Sequence, residues 1–376
     1  MIESPLGYLL AVAAIAAFFG LLQQRSRSRI FEYLPAVVLI YAVAMAAAQS
    51  GVLIKNPAVD AAYATARNNL LPAMLFLMML KIDLRHFLKL GPQLLIAYVA
   101  AVLSLALAFV AVFMLFGFGR EEAGLFAALS GSWMGGTANM LAVGGALGVG
   151  ENMMGFAFVT DAVNYTFWVV LLLSMVRAAP TFDLWSGASV RQAAPEGIAC
   201  ACVAGRTRYW QLILLSLAVA WGCQWAAPLF GGLSGTTWLV LLATLAGLAA
   251  SFTPLSRLGG SSELAGTMLL LLVALIGSRA DLSGGGSVPL YLLAGFVILL
   301  CHAVMMLAAA RLFKLDLFSI GVASLANIGG VASAPILAAA YDRSLVGIAV
   351  LMAVMGYLVG TFGGLAVGSL LMAVAP

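Results

Sequence analysis

Charge is what this chain has least of. Only 9% of its 376 residues are Asp, Glu, Lys or Arg, while 64% are hydrophobic, and the mean hydropathy is +1.10. A soluble domain carries about 25% charged residues, so that class is excluded and an all-α, polytopic membrane protein fits. The net charge of +4 is spread over connecting segments and points to no nucleic-acid partner. Cysteine is scarce too: Cys200, Cys202, Cys223 and Cys301 make neither a zinc pattern nor an obvious disulfide set. The N-terminus lacks the polarity of a cleaved leader, with Glu3 before its apolar run and Arg25, Arg27 and Arg29 after it. It reads as a retained helix with its N-terminus outside. No nucleophile elbow, metalloprotease helix or phosphate loop occurs, which argues against an enzyme.

What the chain does have is apolar length, in repeated blocks. A bilayer core of about 30 Å needs about 20 residues of apolar helix. That yardstick gives twelve segments: 5–22, 33–50, 70–86, 92–117, 122–149 and 152–177, then 209–228, 236–253, 264–280, 288–312, 316–341 and 344–373. They divide the chain into a first membrane repeat over 1–177, a polar linker over 178–208 and a second repeat over 209–376. The loops after segments one (Arg25, Arg27, Arg29) and three (Lys81, Arg85, Lys89) are basic and belong in the cytoplasm. Arg257, Arg311 and Lys314 follow segments eight and ten, and those loops should be cytoplasmic as well. Six crossings before segment seven would place them outside. The linker is therefore expected to hide one more crossing over 188–206, despite Arg191, Pro195 and Glu196, and the two halves are then inverted.

Residues 131–141 read Gly-Ser-Trp-Met-Gly-Gly-Thr-Ala-Asn-Met-Leu, and 325–335 read Leu-Ala-Asn-Ile-Gly-Gly-Val-Ala-Ser-Ala-Pro. Gly135-Gly136 aligns with Gly329-Gly330. In the same register Met74-Leu75 falls on Met268-Leu269 and Arg85 on Arg279, so the halves repeat. The glycine pairs and Pro335 oppose a continuous helix, because glycine lacks helix propensity and proline removes a donor. In hydrocarbon the freed N–H and C=O groups survive only where protein or a wet cavity receives them. Such breaks expose half-helix N-termini, which favour anions, and carbonyl ends, which favour cations. Matched interruptions in two halves of a chain point to a secondary transporter's binding site. Thr137 and Asn139 at the first break, and Asn327, Ser324 and Ser333 at the second, are candidate ligands. The plainer alternative is close helix packing at small residues.

Asp161 is the second anchor, inside segment six with Thr160, Asn164 and Tyr165. A mid-membrane carboxylate costs about 2.5–3.5 kcal/mol on insertion scales. Asn164 follows by three residues on the same helical face. Oxygen ligands around an acid suit Na⁺, or a proton if burial raises the acid's pKa. A protonated Asp161 hydrogen-bonded to a neighbouring helix is the alternative. The repeat register puts Met355 opposite Asp161, so only the first half carries this acid. His302 is a lone intramembrane histidine, either a satisfied packing residue or a proton carrier. Lys81, Asp83, Arg85 and His86, and the matching Arg279 and Asp281, read as snorkelling interfacial clusters. Glu263 in Ser-Ser-Glu is a candidate cap for segment nine.

Several stretches carry a family resemblance: Phe-Glu-Tyr-Leu-Pro (31–35), Leu-Pro-Ala-Met-Leu-Phe-Leu-Met (71–78), 131–140, 323–335 and Gly-Tyr-Leu-Val-Gly-Thr (356–361). On these the chain resembles the YjcL-like uncharacterised integral membrane proteins of bacteria. That family looks like a branch of the cation:proton antiporter and anion transporter superfamily, which includes bile-acid sodium symporters and sodium/proton antiporters. The resemblance implies two inverted repeats, a scaffold domain, a core domain in which two broken helices cross, and homodimers. Segments five and eleven would be the crossing pair, and Asp161 would lie on the ion-site helix. Antiporters of the superfamily often carry paired acids or an acid with a lysine, and this chain offers only Asp161.

The sequence thus predicts a multi-pass protein of a bacterial inner membrane that moves a small organic solute, anionic in character, coupled to Na⁺ or H⁺ by alternating access. The core is expected over 92–177 with 288–376, and the scaffold over 1–86 with 209–280. The solute would bind at Gly135, Gly136, Thr137, Gly329, Gly330 and Pro335, with Asp161, Asn139 and Asn327 holding the cation. No cofactor beyond the coupling ion is implied. The partners are the solute, membrane lipid and a second copy of the chain. The rivals are a sodium/proton antiporter without organic substrate and a non-transporting sensor or scaffold.

Overall fold

Long apolar runs satisfy their own backbone only as helix, and helix is what these runs form. The computed structural model describes residues 2–25, 36–82, 87, 90–188, 209–280 and 285–376. Outside them lie Arg27, Arg29, the 31–35 stretch, Asp83, Arg85, His86, Lys89, Cys200, Cys202 and Asp281. All but the first residue of the crossing expected over 188–206 lies outside them too, including Arg191, Pro195 and Glu196. The described residues hold fifteen α-helices. They are α1 (Pro5–Arg25), α2 (Ala36–Gln49), α3 (Pro57–Met79), α4 (Pro92–Phe116), α5 (Arg120–Gly135), α6 (Thr137–Ala146), α7 (Glu151–Met175) and α8 (Ala179–Ser186). After the linker come α9 (Tyr209–Ala226), α10 (Gly235–Ser251), α11 (Ser261–Gly277), α12 (Val288–Phe313), α13 (Leu317–Ile328), α14 (Gly330–Tyr341) and α15 (Val346–Val374). Among the described residues, six helical runs are long and apolar enough to cross a membrane: Pro5–Arg25, Pro92–Phe116, Glu151–Ser186, Tyr209–Leu229, Val288–Phe313 and Arg343–Val374.

The chain divides into two compact units. The first comprises 1–81, 144–162 and 204–288. Within it α3 is the hub, packed by α9, α10 and α11, while α11 also packs on α1 and α2. Glycines permit the closest approaches, and a Cβ on Gly247 would come within 2.6 Å of the Phe76 carbonyl oxygen. The end of α6 is tied down here, where the Ala146 carbonyl accepts hydroxyls from Ser234, Thr236 and Thr237 at 2.9–3.1 Å.

The second unit comprises 82–143, 163–203 and 289–376. In it α15 packs on α4, α5, α13 and α14, and α13 also contacts α4 and α5. Glycine again sets the spacing. Gly131 and Gly135 of α5, four apart, face Gly356, Gly360 and Gly364 of α15. A Cβ on Gly360 would sit 2.8 Å from the Gly135 Cα, and one on Gly364 2.8 Å from the Gly131 Cα. Such small-residue ridges replace the hydrophobic drive that lipid cannot supply.

The third helix differs from its expected 70–86 and runs Pro57–Met79. Hydropathy misses its first half because Asp60, Arg67, Asn68 and Asn69 interrupt the apolar run. Local chemistry starts it instead. Asn56 is the N-cap, accepting from Val59 N–H at 2.9 Å, and Pro57 follows at the first helical position. Segment six continues past 177 through a short 3₁₀ turn into α8, inside the expected linker. Glu263 lies in the first turn of α11, where no side chain caps the helix. Asn56 also donates to the Glu3 carbonyl at 2.9 Å, so it joins the starts of two chain segments. Asn56→Ala should lower stability by about 1 kcal/mol, read as a lower thermal midpoint of detergent-purified protein, with Asn56→Asp retaining the cap and most of that stability.

Candidate functional site

Both glycine pairs interrupt their helices. At the first, α5 ends on Gly135, Gly136 takes φ 87° and ψ 171°, and α6 starts at Thr137. At the second, α13 ends at Ile328, Gly330 takes φ +60°, and α14 follows. Within each pair the two glycines have different jobs. A Cβ on Gly135 would run into the Gly356 carbonyl and the Asn139 amide, and one on Gly329 into the Ser333 hydroxyl and the Tyr165 ring. Gly136 and Gly330 have open space around a Cβ but hold the positive φ that other residues resist. Pro335 is not at the break. It lies inside α14, whose interruption the glycine pair has already made.

Asn139 clasps the first break. Its Nδ2 donates to the Gly135 carbonyl at 2.8 Å, across the interruption, and to the Gly356 carbonyl at 3.3 Å. Its Oδ1 accepts the Thr361 hydroxyl at 2.5 Å. The side chain is 1% exposed, and both amide hydrogens and one carbonyl lone pair are committed. Thr137 and Gly136 beside it are half-buried.

The second break has different surroundings. Asn327, fully buried two residues before Gly329, donates to the Ala323 carbonyl at 2.8 Å. Its Oδ1 has no hydrogen-bond partner among the described residues, and neither has the buried Ser333 hydroxyl on the first turns of α14. The register that matches the glycine pairs sets Ser333 against Asn139. Two buried oxygens beside freed helix ends are the open valences here, since leaving such groups unbonded costs about 1–3 kcal/mol each.

A buried polar chain fixes α13 near this point. Trp168 Nε1 donates to Ser324 Oγ at 2.9 Å, Ser324 Oγ lies 2.8 Å from His302 Nε2, and His302 Nδ1 lies 2.7 Å from Ser104 Oγ. Ser104 donates onward to the Ala101 carbonyl at 3.0 Å. That last bond runs the chain one way and assigns the histidine proton to Nδ1, leaving Nε2 to accept. A neutral His302 satisfies every member, so it is a packing histidine and Ser324 is its partner. Trp168, Ser104 and Thr361 carry no local signal of these roles, because their partners are distant in the chain.

Asp161 is half-buried on α7 and belongs to the first unit, whereas both glycine pairs belong to the second. Asn164 is buried and donates to the Leu292 carbonyl at 3.4 Å. One turn beyond Asp161, Tyr165 lays its ring against Gly329. Among the described residues no three His, Cys, Asp or Glu side chains gather as a metal-binding set. A hard cation would draw on neutral oxygens such as Asn327 Oδ1 and Ser333 Oγ.

These features define a polytopic integral membrane protein whose polar groups collect at interrupted helices. The chain belongs to the family described as protein of unknown function (DUF819), whose model matches residues 9–374. It is also 34% identical over 145 residues to the uncharacterized membrane protein YjcL of Bacillus subtilis (strain 168). That alignment spans 38% of this chain and 37% of YjcL.

The two glycine roles separate experimentally. Gly136→Ala should cost about 1–3 kcal/mol through backbone strain and still yield folded protein. Gly135→Ala sets a methyl against backbone that cannot yield without parting α5 from α15, and should abolish the monodisperse peak in size-exclusion chromatography.

Proposed function

We propose that this protein is a secondary active transporter that moves a small organic, anionic solute, coupled to Na⁺ or H⁺ by alternating access. The observation that carries the reading is the pair of interrupted helices, the second bearing two buried oxygens without partners among the described residues beside its break. Interrupted helices at matching places in two halves of a chain are how secondary transporters present helix ends to their ligands. In this reading the halves are inverted repeats and the two interrupted helices cross, as in the cation:proton antiporter and anion transporter superfamily. The N-terminal ends of α6 and α14 meet the negative groups of the solute. The cation takes Asn327 Oδ1 and Ser333 Oγ, and Asp161 is the acid whose charge couples transport to the ion. Asn139 leaves the ion set and becomes the clasp that holds the first break in shape.

A thermal-shift screen of purified protein against small metabolites, each with and without Na⁺ and at two pH values, tests the proposal. A solute at a hundredfold its Kd should stabilise by about 2.7 kcal/mol, and only when the coupling ion is present. If no solute stabilises the protein while Na⁺ gradients alone drive proton movement in proteoliposomes, the protein is a sodium/proton antiporter instead. Asp161→Asn should leave the fold intact and remove the ion dependence of uptake. Full ion dependence in that folded variant would exclude Asp161 as the coupling group. Asn327→Leu should weaken ion-dependent stabilisation at least tenfold.

A further inference from the structure

Arg279 has a guanidinium edge without a hydrogen-bond partner among the described residues. It follows α11 and lies in the first unit, its side chain 11% exposed. Its Nη1 pairs with Asp60 at 2.5 Å. Its guanidinium carbon lies 4.8 Å from the centre of the Tyr63 ring and 5.7 Å from that of Tyr8. Both rings are held in place: Tyr63 donates to Glu151 Oε1 at 2.8 Å, and Tyr8 shares a 2.7 Å hydrogen bond with Ser278 Oγ. Lys55 reaches the Arg279 carbonyl at 3.4 Å. An ion pair and two tyrosine rings account for Nη1 and the guanidinium surface. They leave Nε and Nη2, which are buried and have no hydrogen-bond partner among the described residues.

Those two nitrogens are the side edge of the guanidinium. Their N–H bonds point the same way, at the spacing of two oxygens on one carboxylate, and such paired contacts are among the strongest hydrogen bonds in proteins. Burial makes the unmet donors costly, more so because they carry charge. Asp60 faces the opposite edge and is 57% exposed, so the cluster lies near an accessible rim.

We propose that the Nε/Nη2 edge of Arg279 is a receptor for an oxyanion that presents two oxygens side by side. A dissolved aliphatic carboxylate or the phosphodiester of an anionic lipid supplies that chemistry. The tyrosine rings flank the guanidinium, and Asp60 pairs with its far edge and leaves the near edge to the ligand. This site uses none of the residues at the helix breaks and stands whether or not the transport reading does.

Binding to the full-length protein in detergent distinguishes the sources, with propionate, inorganic phosphate and phosphatidylglycerol as probes and chloride at equal ionic strength as control. Saturable stabilisation by propionate or phosphate identifies a dissolved ligand. Stabilisation by phosphatidylglycerol with no response to the small anions identifies a headgroup. Either supports the receptor if Arg279→Lys, which keeps the charge and loses the paired donors, weakens binding at least tenfold. Asp60→Asn removes a competing carboxylate and should strengthen binding severalfold, which decides the matter even if Arg279→Lys fails to fold. No saturable response in the native protein, or equal affinity in the native protein and both variants, overturns the proposal. Ion-coupled solute uptake that survives Arg279→Lys would leave the transport reading in place.

Discussion

Everything distinctive in this fold follows from one constraint: inside hydrocarbon a backbone polar group must find a partner within the protein. A continuous helix meets that demand by itself. An interrupted one does not, and neighbouring segments must then receive what the break releases. At Gly136 the receiver is Asn139, which bridges the interruption to Gly135 and reaches across to Gly356 and Thr361 on α15. That clasp works only because Gly131 and Gly135 let α5 lie directly against the glycine ridge of α15. The close packing and the break are one arrangement, although at the level of sequence they read as alternatives.

The two breaks share a backbone plan and differ in chemistry. Each uses one glycine for close approach and the next for a positive φ. Around the first, the side-chain amide is spent on holding shape. Around the second, Asn327 and Ser333 keep buried oxygens without partners among the described residues, while Ser324, one turn from Asn327, is locked into the chain with His302 and Trp168. Rigidity on one side of the break and open valences on the other suit a site that must keep its geometry while a ligand comes and goes. The Arg279 edge follows the same pattern in the first unit, with two tyrosine rings beside donors that have no hydrogen-bond partner among the described residues.

Much of the element order is legible in the residues, because hydropathy and helix-breaking glycine act locally. The starts and ends of α4, α9, α12 and α15 lie within a few residues of the apolar runs. The start of α3 is not legible that way. Its first turns carry Asp60, Arg67, Asn68 and Asn69, and it forms because Asn56 caps it and because Arg279 and Gln224 meet its polar face. Pro335 has the look of a breaker, yet it sits inside α14. His302 is visible as an oddity, but its role rests on Ser104 and Ser324, far away along the chain.

By itself the sequence determined the membrane class, the run of helices and the two places where they stop, since each depends on composition and on the conformational limits of single residues. Tertiary structure decided what every polar residue is for. Asn139 and Asn327 look alike as buried amides beside glycine pairs, and only their neighbours make one a clasp and leave the other's oxygen without a partner among the described residues. Hydrogen-bond satisfaction is a property of three-dimensional surroundings, and no reading of the chain in one dimension contains it.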